Sequence, residues 1–179
     1  MSVEIIIPRR GINDDHLGKK HALYKLISAS RADYVWLQDD DIILPKAVNV
    51  QSDQVQCTKA DLIILPLKME SESDNPSLLE KLQIAEYAAI QEVTIRTAKA
   101  GRAVLCSGAN MIVNRQRWLE SWPDLHQEIP GGDDMFLLES FKRRGLVIKV
   151  ADDLRYTATV RAIPSWRAFF KQRMRWAGK

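Results

Sequence analysis

Cysteine, histidine and long apolar runs are scarce in this sequence, and each shortage excludes a class of protein. The two cysteines, Cys57 and Cys106, are too few for a disulfide framework or a zinc knuckle, so we expect two reduced thiols. The three histidines are scattered, which favours surface or capping roles over catalysis. No segment approaches the ~18–20 uninterrupted apolar residues of a membrane-spanning helix.

Acidic residues are missing from the end of the chain. None follows Asp153, whereas seven lysines and arginines do, although the net charge of the whole chain is only +3. A basic segment of this kind indicates a partner that carries phosphate: a small molecule, a nucleic acid or an anionic membrane surface. Otherwise the composition, 46% hydrophobic and 27% charged over 179 residues, is typical of one soluble globular domain.

Strand and helix patterns alternate along the chain. The predicted strands span 3–7, 33–38, 60–69, 146–151 and 155–160, with two more within 103–114 around a turn at 108–110. The predicted helices span 18–32, 78–100, 133–145 and 165–176, and a further short helix starts at Pro45. This alternation predicts a single α/β domain over 1–179, a Rossmann-type sandwich whose mainly parallel sheet is flanked by helices. Such sheets bind ligands at the carboxyl ends of their strands.

Three adjacent aspartates follow the second predicted strand, in LQDDDIILP. Alternate residues at a strand end point the same way, so Asp39 and Asp41 could share a face while Asp40 turns away. Two carboxylates about 5 Å apart repel by about 3 kcal/mol at an effective dielectric of about 20, and a hard divalent cation turns this cost into attraction. The segment is therefore a metal site, or else a solvated turn or helix N-cap.

A second acidic pair, Asp133 and Asp134, follows two glycines in PGGDDMFLL and begins a helical pattern. Aspartate is favoured at helix N-termini, so capping explains this pair as well as catalysis does. In the catalytic interpretation a carboxylate here takes a proton from an incoming hydroxyl.

The last predicted helix contains QRMRW, in which three residues are spaced to share one face. Gln172 can hydrogen-bond a hydroxyl, Arg175 can clamp phosphate oxygens, and Trp176 offers an aromatic platform. An amphipathic helix with a buried apolar stripe explains the same segment, and the two interpretations are compatible because they use different stripes.

Taken in chain order, GKKHAL, DDD followed by proline, GGDD and QRMRW resemble the motifs of family 2 inverting glycosyltransferases. The resemblance covers residues 18–176. It is strongest to the membrane-associated branch, which includes cellulose, chitin and hyaluronan synthases and ceramide glucosyltransferases. That branch carries a D-x-D metal motif, an acidic base motif and Q-x-x-R-W, and the resemblance implies a GT-A-like, here partial, fold.

The resemblance also implies roles for individual residues. Asp39 and Asp41 would bridge the diphosphate of a nucleotide-sugar donor, in the first instance a UDP-sugar, through Mg²⁺ or Mn²⁺. Asp134, with Asp133 beside it, would be the catalytic base that lets a polysaccharide or lipid hydroxyl attack with inversion. The implied donor-side residues are Lys19, Asp39, Gln172, Arg175 and Trp176, and Asn110 in SGAN would lie on the acceptor side. For Lys19, a contact to a donor phosphate and a structural ion pair are equally open.

The sequence departs from the family pattern in several places. The strands usually written VSVIIPxxNE and VIVVDDGSTD are not clearly present, the Thr-Glu of the base motif is Gly132-Asp133, and the chain stops three residues after Trp176. We therefore expect a soluble fragment without the N-terminal nucleotide-binding strands and flanking membrane segments. The parent protein is expected at the cytoplasmic face of a membrane.

Two other classes share some of these features. Gly-Asp-Asp also occurs in RNA polymerase palms, but there it lies between strands, whereas DDMFLLESFKRRG is a helical pattern, and we expect no nucleic-acid partner. A non-catalytic, basic peripheral membrane or anion-binding module would use WRAFFKQRMRW and would need none of Asp39, Asp41 and Asp134.

Overall fold

The computed structural model describes residues 2–8, 18–44, 59–129, 131–151 and 153–177, with the backbone alone at 154 and 175–177. Cys57 and the predicted helix start at Pro45 lie outside these residues. The strands are β1 (Val3–Ile6), β2 (Tyr34–Gln38), β3 (Leu62–Ile64), β4 (Leu67–Glu70), β5 (Asn110–Asn114), β6 (Ile148–Val150) and β7 (Ala158–Arg161). The helices are α1 (Gly18–Ala29), α2 (Leu78–Lys99), α3 (Arg115–Glu120), α4 (Asp133–Arg143) and α5 (Trp166–Ala177), with 3₁₀ turns at Trp122–Asp124 and Leu154–Tyr156.

Five of the strands form one sheet in the order β1-β2-β5-β3-β6, and β4 and β7 form a parallel pair beside it. In the larger sheet four strands run in the same direction, and β5 runs in the opposite direction between β2 and β3. Ile43, five residues after the end of β2, forms an isolated antiparallel bridge to Thr159 of β7. A mainly parallel sheet flanked by helices confirms the predicted α/β class.

Strand β2 lies at the centre of the core because both of its faces are covered. All five of its residues are buried. Val35 and Leu37 belong to one apolar cluster with Leu23 of α1 and Phe141 of α4, whereas Trp36 belongs to a second cluster. Successive side chains of a strand point to opposite faces, so burial on both faces explains why YVWLQ is a nearly continuous apolar run.

Helix α2 confirms the longest predicted helix almost to the residue. The Ser77 side chain accepts a hydrogen bond from the backbone N–H of Glu80, and the Glu80 carboxylate accepts one from the backbone N–H of Ser77, 2.8 Å away. This reciprocal capping box satisfies two N–H groups that would otherwise lack partners at the helix start. Helix α4 likewise confirms its prediction, with aspartates in the first turn and Lys142 and Arg143 in the last.

Residues 60–69 form two strands, whereas the sequence predicted one. Pro66 separates β3 from β4, and its carbonyl accepts a hydrogen bond from the N–H of Ala158, 3.1 Å away. Proline has no N–H to continue a ladder, so the chain leaves the larger sheet here and pairs with β7 instead.

Residues 103–114 contain a single strand, β5, where two were predicted. Before it the chain turns, and Ser107 accepts hydrogen bonds locally from the N–H groups of Ala109 and Asn110. Local hydrogen bonds of this kind replace pairing with a neighbouring strand. The predicted strand 155–160 is also shorter, since a 3₁₀ turn takes its first residues and β7 begins at Ala158.

None of the described helices is long and apolar enough to cross a bilayer.

Candidate functional site

Side chains from separate segments meet at the carboxyl edge of the larger sheet. Asp39 follows the last residue of β2, and its N–H donates to the carbonyl of Ala109, 3.4 Å away. Lys19 comes from the first turn of α1, and Asp133 and Asp134 form the first turn of α4. Open α/β sheets bind ligands at this edge.

Lys19 joins the two acidic segments. Its Nζ lies 2.6 Å from Asp39 Oδ1 and 3.6 Å from Asp133 Oδ2. The Asp133 side chain is only 8% exposed, whereas those of Lys19 and Asp39 are 34% and 35% exposed. Burial acts to lower the pKa of Lys19, but Asp133, Asp39 and Asp134 outweigh it, so the pKa is raised above its ordinary value. The sequence analysis left two roles open for Lys19, a structural ion pair and a contact to a donor phosphate. The structure contains the ion pair, with Asp39.

Backbone groups orient the carboxylate of Asp134. Its Oδ2 accepts from the N–H of Gly108 at 3.3 Å, and its Oδ1 accepts from the N–H of Met135 at 2.9 Å. The thiol of Cys106 donates to the carbonyl oxygen of Asp134, 3.1 Å away. Burial raises the pKa of the Cys106 thiol, and the charges of Asp134 and Asp133 raise it further, so the thiol keeps the proton that it donates. Asp134 is therefore held from both its side chain and its backbone.

Gly108 lies at a position where any side chain would contact the residues of the site. A Cβ at this position would lie 3.2 Å from Asp133 Oδ2, 3.5 Å from Lys19 Nζ and 3.6 Å from Asp134 Cβ. The absence of a side chain lets the backbone N–H approach the Asp134 carboxylate. The sequence analysis noted SGAN as a turn but did not assign Gly108 a role, because a glycine in a turn is expected on backbone grounds alone.

Asp40 and Asp41 lie in a turn directly after β2, and both are exposed. The alternation that would place Asp39 and Asp41 on one face applies to extended backbone, so it does not carry over to this turn. The carboxylate oxygens of Asp39 and Asp41 are nevertheless the type of ligand that Mg²⁺ and Mn²⁺ prefer. Among the described residues, no group of three or more His, Cys, Asp or Glu side chains could hold an ion by itself. Further ligands would have to come from a bound phosphate and water.

Asn110, the predicted acceptor-side residue, is fully buried. Its Nδ2 donates to the carbonyls of Pro66 and Tyr156, at 2.9 and 2.8 Å, and its Oδ1 accepts from Trp36 Nε1 at 2.9 Å. Both amide hydrogens are thus used within the fold. Asn110 thus links β2 to the residues just before β4 and β7, and its acceptor-side role stays a prediction.

Tyr87 of α2 is a residue that the sequence analysis missed. It is half-buried and packs on the apolar cluster that contains Ala109 and Ala158. Burial raises the pKa of its hydroxyl above the ordinary value, and the charge of Asp39 adds to this effect. An aromatic residue on a long helix indicates ordinary core packing, and only the tertiary structure places it near the site.

Helix α5 confirms the predicted helix that carries Q-x-x-R-W. Gln172 is half-buried, and its Oε1 is buried without a hydrogen-bond partner among the described residues. The side chains of Arg175 and Trp176 lie outside the described part of the structure. Arg173 lies over the Phe169 ring, 4.8 Å from its centroid, and pairs with Glu86, which ties α5 to α2.

Comparison with known proteins gave a family and several solved structures that match part of their length to this chain. The model of the family described as "Glycosyltransferase like family 2" matches residues 7–179. A search among curated proteins gave no match. Glucosyl-3-phosphoglycerate synthase from Mycobacterium tuberculosis, in complex with phosphoglyceric acid, is 18% identical with a TM-score of 0.40 over 80% of this chain and 46% of its own. Its complex with Mn²⁺ and uridine-diphosphate-glucose is 17% identical with a TM-score of 0.40 over 81% and 44%. Mannosyl-3-phosphoglycerate synthase from Rubrobacter xylanophilus is 16% identical with a TM-score of 0.41 over 89% and 48%.

The chain spans less than half the length of each of these three structures. The family model, in contrast, matches nearly all of this chain. The chain therefore belongs to the glycosyltransferase-like family 2.

Proposed function

We propose that this domain catalyses metal-dependent, inverting transfer of a sugar from a nucleotide-sugar donor, in the first instance a UDP-sugar, to a polysaccharide or lipid acceptor. The observation that carries the proposal is the meeting of Asp39 with the Asp133–Asp134 pair around Lys19, at the ligand-binding edge of the sheet. Two acidic segments far apart in the sequence are thereby brought to one place, as a donor site adjoining a catalytic base requires.

Asp134 is the proposed base. Its carboxylate takes the proton of the acceptor hydroxyl, the hydroxyl oxygen forms a bond to the anomeric carbon, and the bond from that carbon to the diphosphate oxygen breaks. The diphosphate leaves with the electron pair of that bond, and the configuration at the anomeric carbon inverts. The N–H groups of Gly108 and Met135 hold the carboxylate in one orientation, which supports this role because proton transfer depends on geometry first.

Asp39 and Asp41 are the proposed metal ligands. A divalent cation held there would neutralise charge that develops on the leaving diphosphate. Lys19 keeps Asp39 and the buried Asp133 paired with a positive charge, and we propose that its ammonium also lies within reach of a donor phosphate. Gln172, Arg175 and Trp176 are proposed to complete the donor side, with Arg175 stabilising the diphosphate as it departs.

A separate observation favours attachment of the protein to a membrane. Trp166, Phe170 and Met174 recur every four residues along α5 and are 54%, 59% and 75% exposed. Arg167 and Lys171 are exposed beside this stripe. An apolar stripe flanked by basic residues suits the interface of an anionic bilayer. We propose that the protein acts at the cytoplasmic face of a membrane, and as the second candidate function that the domain is a non-catalytic membrane-binding module.

One experiment separates these two functions. The protein is incubated with Mn²⁺ or Mg²⁺ and a panel of nucleotide sugars, and release of nucleoside diphosphate is followed. We expect Asp134→Asn to lower the rate by on the order of 10²-fold or more. Asp74→Asn, the same chemical change at an exposed loop residue, should leave the rate unchanged. Equal rates for the two variants would reject Asp134 as the base. If no donor is consumed but the protein binds anionic liposomes without regard to metal, the second candidate function is correct.

A further inference from the structure

Lys20, the neighbour of Lys19 on α1, is a charged residue in the interior. It is only 4% exposed. Its Nζ donates to the carbonyl oxygens of Leu125 and His126, both at 2.6 Å, and of Ile129 at 2.9 Å. An ammonium group has three hydrogens to donate, so three carbonyls match its full capacity. The side chain thus does for segment 125–129 what a bound monovalent cation would do.

This arrangement fixes a segment that has little regular structure of its own. Residues 125–129 lie between the 3₁₀ turn Trp122–Asp124 and helix α4. Within it His126 has a φ of +49°, in the left-handed region that non-glycine residues rarely adopt. Converging three carbonyl oxygens on one point requires an unusual backbone path, and the positive charge at that point stabilises it.

The surroundings of Lys20 also include residues of the first turn of α4 and the glycine just before it. The Nζ of Lys20 lies 4.7 Å from the centroid of the Phe136 ring, and the His126 ring lies 4.6 Å from it. Gly132 also packs against the Phe136 ring, since a Cβ at position 132 would lie 2.9 Å from Phe136 Cε2. Phe136 is one turn after Asp133 on α4 and its N–H donates to the carbonyl of Gly132. The groups around Lys20 therefore reach to within one turn of the aspartate pair.

We propose that Lys20 is a positioning residue, whose buried ammonium fixes segment 125–129 and thereby sets where the first turn of α4 presents Asp133 and Asp134. The inference rests on the proposed function only for the role of Asp134 as base. The adjacent lysines thus have different roles: Lys19 neutralises the carboxylates, and Lys20 holds the segment that precedes them in the chain.

The test compares Lys20→Met with Lys25→Met, the same change at an exposed position of α1. Hydrogen exchange should become at least tenfold faster in residues 125–136 of Lys20→Met and stay unchanged in β2 and β5, because the three carbonyls lose their donor while the core is intact. In the transfer assay kcat should fall by about 10- to 100-fold with little change in KM for the donor, as expected when a reacting group is misplaced by about 1 Å. Lys25→Met should match the unsubstituted protein in both measurements.

A milder variant covers the case in which Lys20→Met does not fold. Lys20→Gln keeps two N–H donors for the carbonyls, so it should show the same local increase in exchange to a smaller degree. Unchanged exchange in 125–136 for either folded variant would overturn the proposal, and so would faster exchange with an unchanged kcat. If no form of the protein transfers sugar, the proposed function fails, while the exchange measurement still decides whether Lys20 fixes the segment.

Discussion

The ammonium of Lys19 lies 2.6 Å from Asp39 Oδ1 and 3.6 Å from Asp133 Oδ2, so one lysine bridges the end of β2 and the start of α4. The Asp39 carboxylate that Lys19 contacts is also one of the two proposed ligands of a divalent cation. In a site without donor Lys19 therefore serves as an internal counter-ion and keeps two carboxylates from repelling each other.

This bridge predicts how metal binding responds to loss of the lysine. Lys19→Met should bind Mn²⁺ more tightly in the absence of donor, by about tenfold, because the competing ammonium is gone while the carboxylates stay. Titration calorimetry measures the affinity. Combining Lys19→Met with Asp39→Asn should abolish the gain. Weaker or unchanged Mn²⁺ binding in the single variant would show that Lys19 and the metal do not compete for Asp39.

Gly108 allows a test of the close approach between the SGAN turn and the base. Gly108→Ala should lower kcat strongly while the free energy of unfolding changes little, because the added methyl group meets Asp133 at 3.2 Å and crowds Lys19. Gly101→Ala is the matched control: its Cβ meets open space, but its φ of +71° makes the change strained. The control should therefore destabilise the fold and leave kcat unchanged. The same kcat for both variants would argue against a packed site at Gly108.

Substitution of Asn110 distinguishes a structural role of this residue from a role in acceptor binding. Asn110→Ala should lower the free energy of unfolding by about 3 kcal/mol, because Trp36 Nε1 and the carbonyls of Pro66 and Tyr156 lose their partner in the interior. Urea denaturation measures this loss. The same substitution at the exposed Asn75 should cost less than about 0.5 kcal/mol. A stable Asn110→Ala protein with a raised KM for acceptor would instead support the acceptor-side role predicted from the sequence.

The capping box of α2 predicts a dependence of stability on pH. Hydrogen bonds from Ser71 and Ser77 lower the pKa of Glu80 below its ordinary value of 4.5. A lowered pKa means that the folded state favours the carboxylate, so its contribution is fully present above pH 4.5 and is lost as pH falls through the folded-state pKa. The unsubstituted protein should thus be more stable than Glu80→Gln at pH 7, and the difference should shrink below pH 4.5. A difference that is independent of pH would contradict this account.

The thiol of Cys106 should resist alkylation in the folded protein. It is buried, its pKa is raised, and its proton is donated to the Asp134 carbonyl, so little reactive thiolate is exposed. Mass spectrometry of the Cys106 peptide after iodoacetamide treatment at pH 8 should show little modification until urea unfolds the chain. Rapid labelling without urea would mean that the turn before β5 opens away from α4.

The sequence predicted the α/β class, the long helices and most of the strands, because these depend on local periodicity and on caps. It also predicted both acidic segments, since charged residues at element ends are visible without a structure. It gave one strand for 60–69, where Pro66 diverts the chain into a second sheet, and two strands for 103–114, where Ser107 supports a turn. The first difference depends on β7, which lies about ninety residues away in the chain, whereas the second arises from local hydrogen bonds to Ser107 that the apolar pattern does not reveal.

What the sequence determined by itself is therefore the set of elements and the chemical types of the candidate residues. The tertiary structure alone decided what each residue contacts. Lys19 and Lys20 are chemically identical neighbours, yet one pairs with carboxylates at the sheet edge and the other is buried among carbonyls of 125–129. The i and i+1 positions of a helix point about 100° apart, so they meet different surroundings once the chain is packed. Those surroundings come from segments about twenty and a hundred residues away, which no local pattern encodes.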